Sequence, residues 1–230
     1  IKRQVSSIDL EISVIDIVGA PISEKQIEIL CEDIVSVLHQ QISDLGDIGS
    51  GRYTLLLVLT DGARGGLEHR WGQVSMMKRS SLWSSNSEAR RDLISLISHE
   101  FVHLWNVRHL RPISLEKIDL ENPVPEPMLW WFEGITSYYG DIACWRSGVW
   151  SEKDYRDEMT IKINRHLNRL GPERQSVHDA AQLAWIEGYH PDCWSSEARC
   201  SYYLEGEFIG LSLDLEIREQ TDDKVRLYTI

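Results

Sequence analysis

The chain has 230 residues, of which 42% are hydrophobic and 26% charged, with a formal net charge of −12. That composition suits a soluble globular protein with a substantial buried core. It argues against nucleic acid or an anionic membrane as a partner, since both call for a basic surface, and no run of about 18 apolar residues offers a membrane span.

The first residues, IKRQVSSIDLEIS, mix charges into an alternating pattern and do not read as a signal peptide. The chain starts at Ile, so a fragment of a longer protein is expected. Residues 5–17 alternate and are rich in Val and Ile, which predicts a strand. Ser23 with Gln26 forms a capping-box pattern, and Ile27, Leu30, Ile34 and Leu38 follow at helical spacing. Tyr53–Leu59 reads as a buried strand, Asp61–Gly66 as a Gly-rich loop, and Gln73–Lys78 as another strand.

Beyond residue 86 the pattern turns helical. One helix is expected from Ser87 to about His109, stopped by Pro112. Others are expected over about 127–145, 151–170, 176–187 and 198–219. The fold class that follows is α+β: an α/β lobe over residues 1–85, then a helical lobe over 86–230. Cys31, Cys144, Cys193 and Cys200 form no CxxC pair. They read as thiols rather than a disulfide framework, with Cys193 and Cys200 the one pair that could bridge. They leave the compartment open, with a soluble, cytoplasmic setting as the working expectation.

The chemistry concentrates in SHEFVHLWN, where His99, Glu100 and His103 form an HExxH motif. Positions i and i+4 share one face of a helix, so two imidazoles can reach one tetrahedral ion. Glu100, beside the first ligand, can reach a water on the metal instead. Zinc lowers the pKa of such a water toward about 7, and a carboxylate can then take its proton. A third ligand is expected at Glu133, in LWWFEGITSYYGD. A carboxylate among Trp130, Trp131, Phe132 and Ile135 is costly to bury unless paired or metal-bound. Two His and one Glu with a fourth position open make a catalytic rather than a structural site, and two imidazoles with a carboxylate suit zinc, one ion per chain. Asp141, eight residues past Glu133, is a candidate acceptor for a ligand imidazole N–H; a backbone carbonyl is the alternative. His109, His166, His178 and His190 lack ligand spacing and read as surface or structural residues.

Taken together, HEFVHLWNVRHLRP, WWFEGITSYYGD, SYYLEGEFIGLSLDLEIREQT and the upstream YTLLLVLTDGARGGLEH resemble the glycyl aminopeptidase family of gluzincins, the thermolysin-like zinc peptidases. The long gap between His103 and Glu133, spanning positions 104–132, is similar to that family's spacing. The resemblance implies that Gly65, Gly66 and Glu68, in Gly-Gly-Leu-Glu-His, form a substrate-binding loop. There the Glu holds the free α-amino group of a peptide. It also implies that Tyr203 stabilises the tetrahedral oxyanion, with the adjacent Tyr202 as a rival. The chain departs from the family at Glu205, where relatives carry Lys. The N-terminal β domain and the PDZ-like domain of relatives are expected to be absent from it. The function implied is a zinc-dependent aminopeptidase acting on peptides with a free N-terminus, after small residues such as Gly or Ala. A zinc endopeptidase and an inactive, peptidase-derived binding module remain as alternatives.

Overall fold

In the computed structural model, which describes residues 1–19, 21–83, 88–117, 121–190 and 192–229, a five-stranded sheet occupies the first third of the chain and helices the rest. This is the mixed α+β class expected. β1 (Lys2–Val5) and β2 (Ile8–Asp16) form an antiparallel hairpin. β3 (Gly51–Thr60) runs parallel to β2. The sheet order is β1-β2-β3-β5-β4, with β5 (Gly72–Lys78) parallel to β3 and β4 (Gly65–His69) antiparallel to β5 at the edge. Tyr53, Leu55, Leu57 and Leu59 of β3 all point into the core, as a period of two requires.

Several expectations are corrected. The strand read over 5–17 is the β1–β2 hairpin, broken at Ser6, whose φ is 53°. The Gly-rich loop ends at Arg64, because Gly65–His69 is strand β4, in register with β5 from Gly65 opposite Met76 to His69 opposite Gly72. Pairing with a neighbour outweighs the weak strand preference of two glycines. Helix α1 (Glu24–Leu45) does start after Ser23 and buries Leu30, Ile34 and Leu38, but the Ser23 side chain makes no capping hydrogen bond.

Helix α2 (Glu88–Val102) buries Leu93, Ile94, Leu96, Ile97, Phe101 and Val102. It ends before the expected His109. Past it, Asn106 bridges Leu110 and Val107 takes a φ of 113°, a conformation that stops a helix and that a β-branched residue rarely adopts. The start expected at Ser87 lies outside the described residues.

The chain forms two compact units, Ile1–Trp105 with Tyr139–Tyr155, and Asn106–Tyr138 with Arg156–Ile230. The first holds the larger core, in which Leu30, Ile34 and Leu38 of α1 join residues of the sheet and α2, together with Ala143, Cys144 and Trp150. The second has a core of Ala180, Ala181, Ala184, Cys200 and Tyr202, packed by Leu129, Trp130 and Val177. The remaining helices are α3 (Thr136–Arg146), α4 (Glu152–Leu167), α5 (Gly171–Arg174), α6 (Val177–Gln182), α7 (Ser195–Ala198) and α8 (Tyr202–Gln220). Two π-helical turns, Trp130–Ile135 and Ala184–Gly188, interrupt what the sequence reads as continuous helix. Among the described residues no disulfide forms; Cys193 is an exposed thiol, and Cys31, Cys144 and Cys200 are buried ones. Among the same residues no helix is long and apolar enough to cross a membrane.

Candidate active site

Helix α2 is fixed from behind by a buried polar relay. Gln41 Nε2 donates to Ser98 Oγ at 2.6 Å and to its carbonyl at 3.0 Å, and Ser98 Oγ donates to the Gly140 carbonyl at 2.7 Å. Gly140 allows this approach, because a Cβ there would lie 3.2 Å from His99 N. Phe101 packs edge-on against Tyr53 at 4.9 Å. The last turn of the helix is thereby held on the sheet, and the next residue in the chain is His103.

At that end His99 Nε2 and His103 Nε2 lie 3.2 Å apart, with the rings at 89° to one another. Two nitrogens bound at about 2.05 Å to one tetrahedral ion stand about 3.3 Å apart. The pair therefore fits a shared zinc ion on its own spacing. His103 is buried and His99 half-buried.

Glu100 is also buried, 5% exposed, and its carboxylate faces Gly66 of β4. A Cβ on Gly66 would overlap Glu100 Oε1 and Cδ, whereas Gly65 has open space at the same point. So of the two glycines, Gly66 is the one whose missing side chain makes room for Glu100. Glu68 lies on the same strand. Glu68, Glu100 and His103 each offer a ligand atom, all within 4.8 Å of one another. Two carboxylates this close repel unless a cation or a proton is shared between them. Arg64, just before β4, grips Asp92 of α2 through Nε at 2.9 Å and Nη2 at 2.7 Å. The hydrogen bond that Arg64 donates to Asp92 raises its pKa above the usual level, and Glu100 and Asp141 add to this through their charge. Arg64 thus ties the entry of β4 to α2. Sequence reasoning misses it, although a lone Arg beside a Gly-rich stretch is a visible signal.

Asp141 is 2% exposed, and Ser95 Oγ donates to its Oδ1 at 2.6 Å. Ser95 is four residues before His99, so the two share a face of α2.

In the second unit, Glu133 lies half-buried on the π-helical turn Trp130–Ile135. Helix α8 begins at Tyr202, capped by Ser201, whose Oγ accepts from Leu204 N. Tyr202 packs into the core of this unit, while Tyr203 keeps part of its ring exposed. Burial of the Tyr203 hydroxyl, then the Glu133 charge, then Tyr189 push its pKa well above the usual phenol range. Tyr202 is raised as well, by burial first, then Tyr189, then Glu133. Both therefore remain neutral O–H donors at physiological pH. Tyr189 carries no mark in the sequence; its ring lies 5.3 Å from that of Trp185 and its hydroxyl engages both α8 tyrosines. The signal needed is spatial, since Tyr189 and Tyr202 belong to different elements.

Glu205, the residue that departs from the family pattern, is buried and pairs with His166 Nδ1 at 2.8 Å. Its charge is thus engaged by a local partner on α4. Neighbouring Glu207 is likewise bound by Lys162 Nζ, at 2.6 and 2.8 Å.

A profile of the M61 glycyl aminopeptidase family matches residues 92–209, just over half of the chain. That stretch contains His99, Glu100, His103, Glu133, Asp141 and Tyr203 but not strand β4. A solved structure described as an aminopeptidase N family protein from Idiomarina loihiensis aligns over 99% of this chain, with 28% identity and a TM-score of 0.91. The chain spans 38% of that protein's length. No curated protein matches the chain.

Proposed function

Because the chain belongs to the M61 glycyl aminopeptidase family, we propose that it is the thermolysin-like core of a zinc-dependent aminopeptidase that removes small N-terminal residues such as Gly or Ala. His99, His103 and Glu133 would hold one zinc ion. Their support is the donor chemistry, two imidazoles and a carboxylate, and the 3.2 Å separation of the two Nε2 atoms. When bound, zinc supplies Lewis acidity, lowering the pKa of water and polarising a peptide carbonyl.

The protein's own residues divide the remaining work. Glu100 accepts the proton of the attacking water and later returns it to the departing amine. Glu68 accepts hydrogen bonds from the substrate ammonium, which fixes the first peptide bond at one distance from Glu100. Tyr203, kept protonated, donates to the carbonyl oxygen as it gains charge. Asp141 accepts an imidazole N–H and orients the ring. The observation that carries the aminopeptidase reading is the closeness of the Glu68, Glu100 and His103 ligand atoms within one unit: a carboxylate beside the base marks where an amino terminus can bind.

The test is hydrolysis of alanyl and glycyl amides beside their N-acetylated forms, before and after chelation. Chelation should abolish turnover, one equivalent of zinc should restore it, and acetylated substrates should resist. Comparable cleavage of acetylated peptides would point to an endopeptidase instead. Stoichiometric zinc without turnover on any peptide would leave a binding module.

Gly66→Ala probes the same arrangement from the strand side. The added methyl must push the Glu100 carboxylate aside, and a displacement of about 1 Å can cost up to about 10²-fold in rate. Gly65→Ala, which meets no atom within 4 Å, should fold equally well and leave Glu100 in place, so that any change it causes reports on substrate binding by β4. A native rate in Gly66→Ala would show that β4 does not constrain the base.

A further inference from the structure

The turn that carries Glu133 is not an ordinary helix. In a π-helical turn one residue is inserted relative to α geometry, and carbonyls at the junction lose their usual partners. Asn106 supplies donors at that point. Its Nδ2 lies 3.2 Å from the Trp131 carbonyl, 3.4 Å from that of Phe132 and 3.0 Å from Thr136 Oγ1. Thr136 Oγ1 in turn donates to the Phe132 carbonyl at 2.6 Å. The two carbonyls immediately before Glu133 thus converge on one side chain, which is 7% exposed.

Asn106 is itself pinned. It bridges Leu110, the Val107 N–H donates to the Leu110 carbonyl at 3.0 Å, and Val107 holds a φ of 113°. A β-branched residue keeps such a conformation only where its surroundings impose it. Gly206 of α8 presses on the same turn, because a Cβ on it would overlap the Trp130 carbonyl.

We propose that Asn106 is a positioning residue: its side-chain amide holds the π-helical register of Trp130–Ile135 and so sets the direction of the Glu133 carboxylate. The proposal rests on Glu133 as the third metal ligand. Were the turn to relax to an α-helix, the inserted residue would be lost and Glu133 would swing by about 100° around the helix axis. Local periodicity gives no sign of this role, since Asn106 sits in the HEFVHLWNVRHLRP block, far before Glu133 in the chain.

The experiment measures zinc affinity by competition with a chromogenic chelator, the visible spectrum of the Co²⁺-substituted chain, and the Tm of the metal-free chain. The variants are Asn106→Ala, Asn106→Asp, Thr136→Val and Glu133→Gln. Both Asn106 variants should bind zinc about 10–100-fold more weakly, with an altered Co²⁺ spectrum. Asp keeps the size of Asn but has no N–H to give the carbonyls, so it should not rescue. A folded Asn106→Ala chain with native zinc affinity and spectrum overturns the proposal. If that variant does not fold, Thr136→Val decides: a several-fold loss of affinity supports it, and unchanged affinity overturns it. Native affinity in Glu133→Gln would instead overturn the ligand assignment beneath it. Weakening in Glu133→Gln alone, with the Asn106 variants native, overturns only the positioning role.

Discussion

Glu100→Gln is expected to lower hydrolysis by about 10²–10⁴-fold while the chain stays folded and retains one zinc ion. Gln keeps the length and planarity of Glu but cannot take up a proton at neutral pH. The site is buried, and an amide is less costly to desolvate than a carboxylate, so stability should hold or rise slightly. His103→Ala makes the contrasting case, since it removes a donor and should lose metal and activity together. Measuring zinc content and turnover on the same samples separates the two roles. Turnover near the native level in Glu100→Gln would remove Glu100 as the base, and a loss of zinc in that variant would recast it as a ligand.

The parts of this site that are legible in the sequence are those set by local periodicity. The i, i+4 spacing of His99 and His103 needs only a helix, and a helix is present through Val102. Glu133 stands out because its neighbours are aromatic. What the sequence hides depends on distant partners. Gly65–His69 looks like a loop on composition and becomes a strand because β5 pairs with it. The inserted residue in Trp130–Ile135 has no local signature. It is accompanied by Asn106, well before Glu133 in the chain, and by Gly206, well after it, and only the folded chain brings the two to the turn. Ser23 shows the converse failure: the pattern marks the start of α1 correctly, but the side-chain bond that would explain it does not form. Gly206 and Gly210 are within reach of sequence reasoning, since small residues four apart on a helix mark a face that another backbone approaches closely.

That face yields a large stability effect in the second unit. A Cβ on Gly134 would overlap the backbone of Gly206, and one on Gly206 would overlap the Trp130 carbonyl and lie 3.0 Å from Gly134 Cα. Helix propensity alone favours Ala over Gly by about 1 kcal/mol. Here backbone meets backbone, no rotamer change can relieve it, and overpacking should dominate at about 3 kcal/mol. For a chain of this length that corresponds to about 6–12 °C in Tm. Gly210→Ala grades the argument, because its Cβ would meet Ile135 Cδ1 at 2.7 Å, a side-chain tip that can rotate away. It should cost distinctly less than Gly134→Ala or Gly206→Ala. Gly206→Ala should also disturb the turn that carries Glu133 and weaken zinc binding beyond what its stability loss explains. If thermal unfolding shows Gly206→Ala to be neutral or stabilising, the close crossing of α8 and the π-helical turn is not a constraint on the fold.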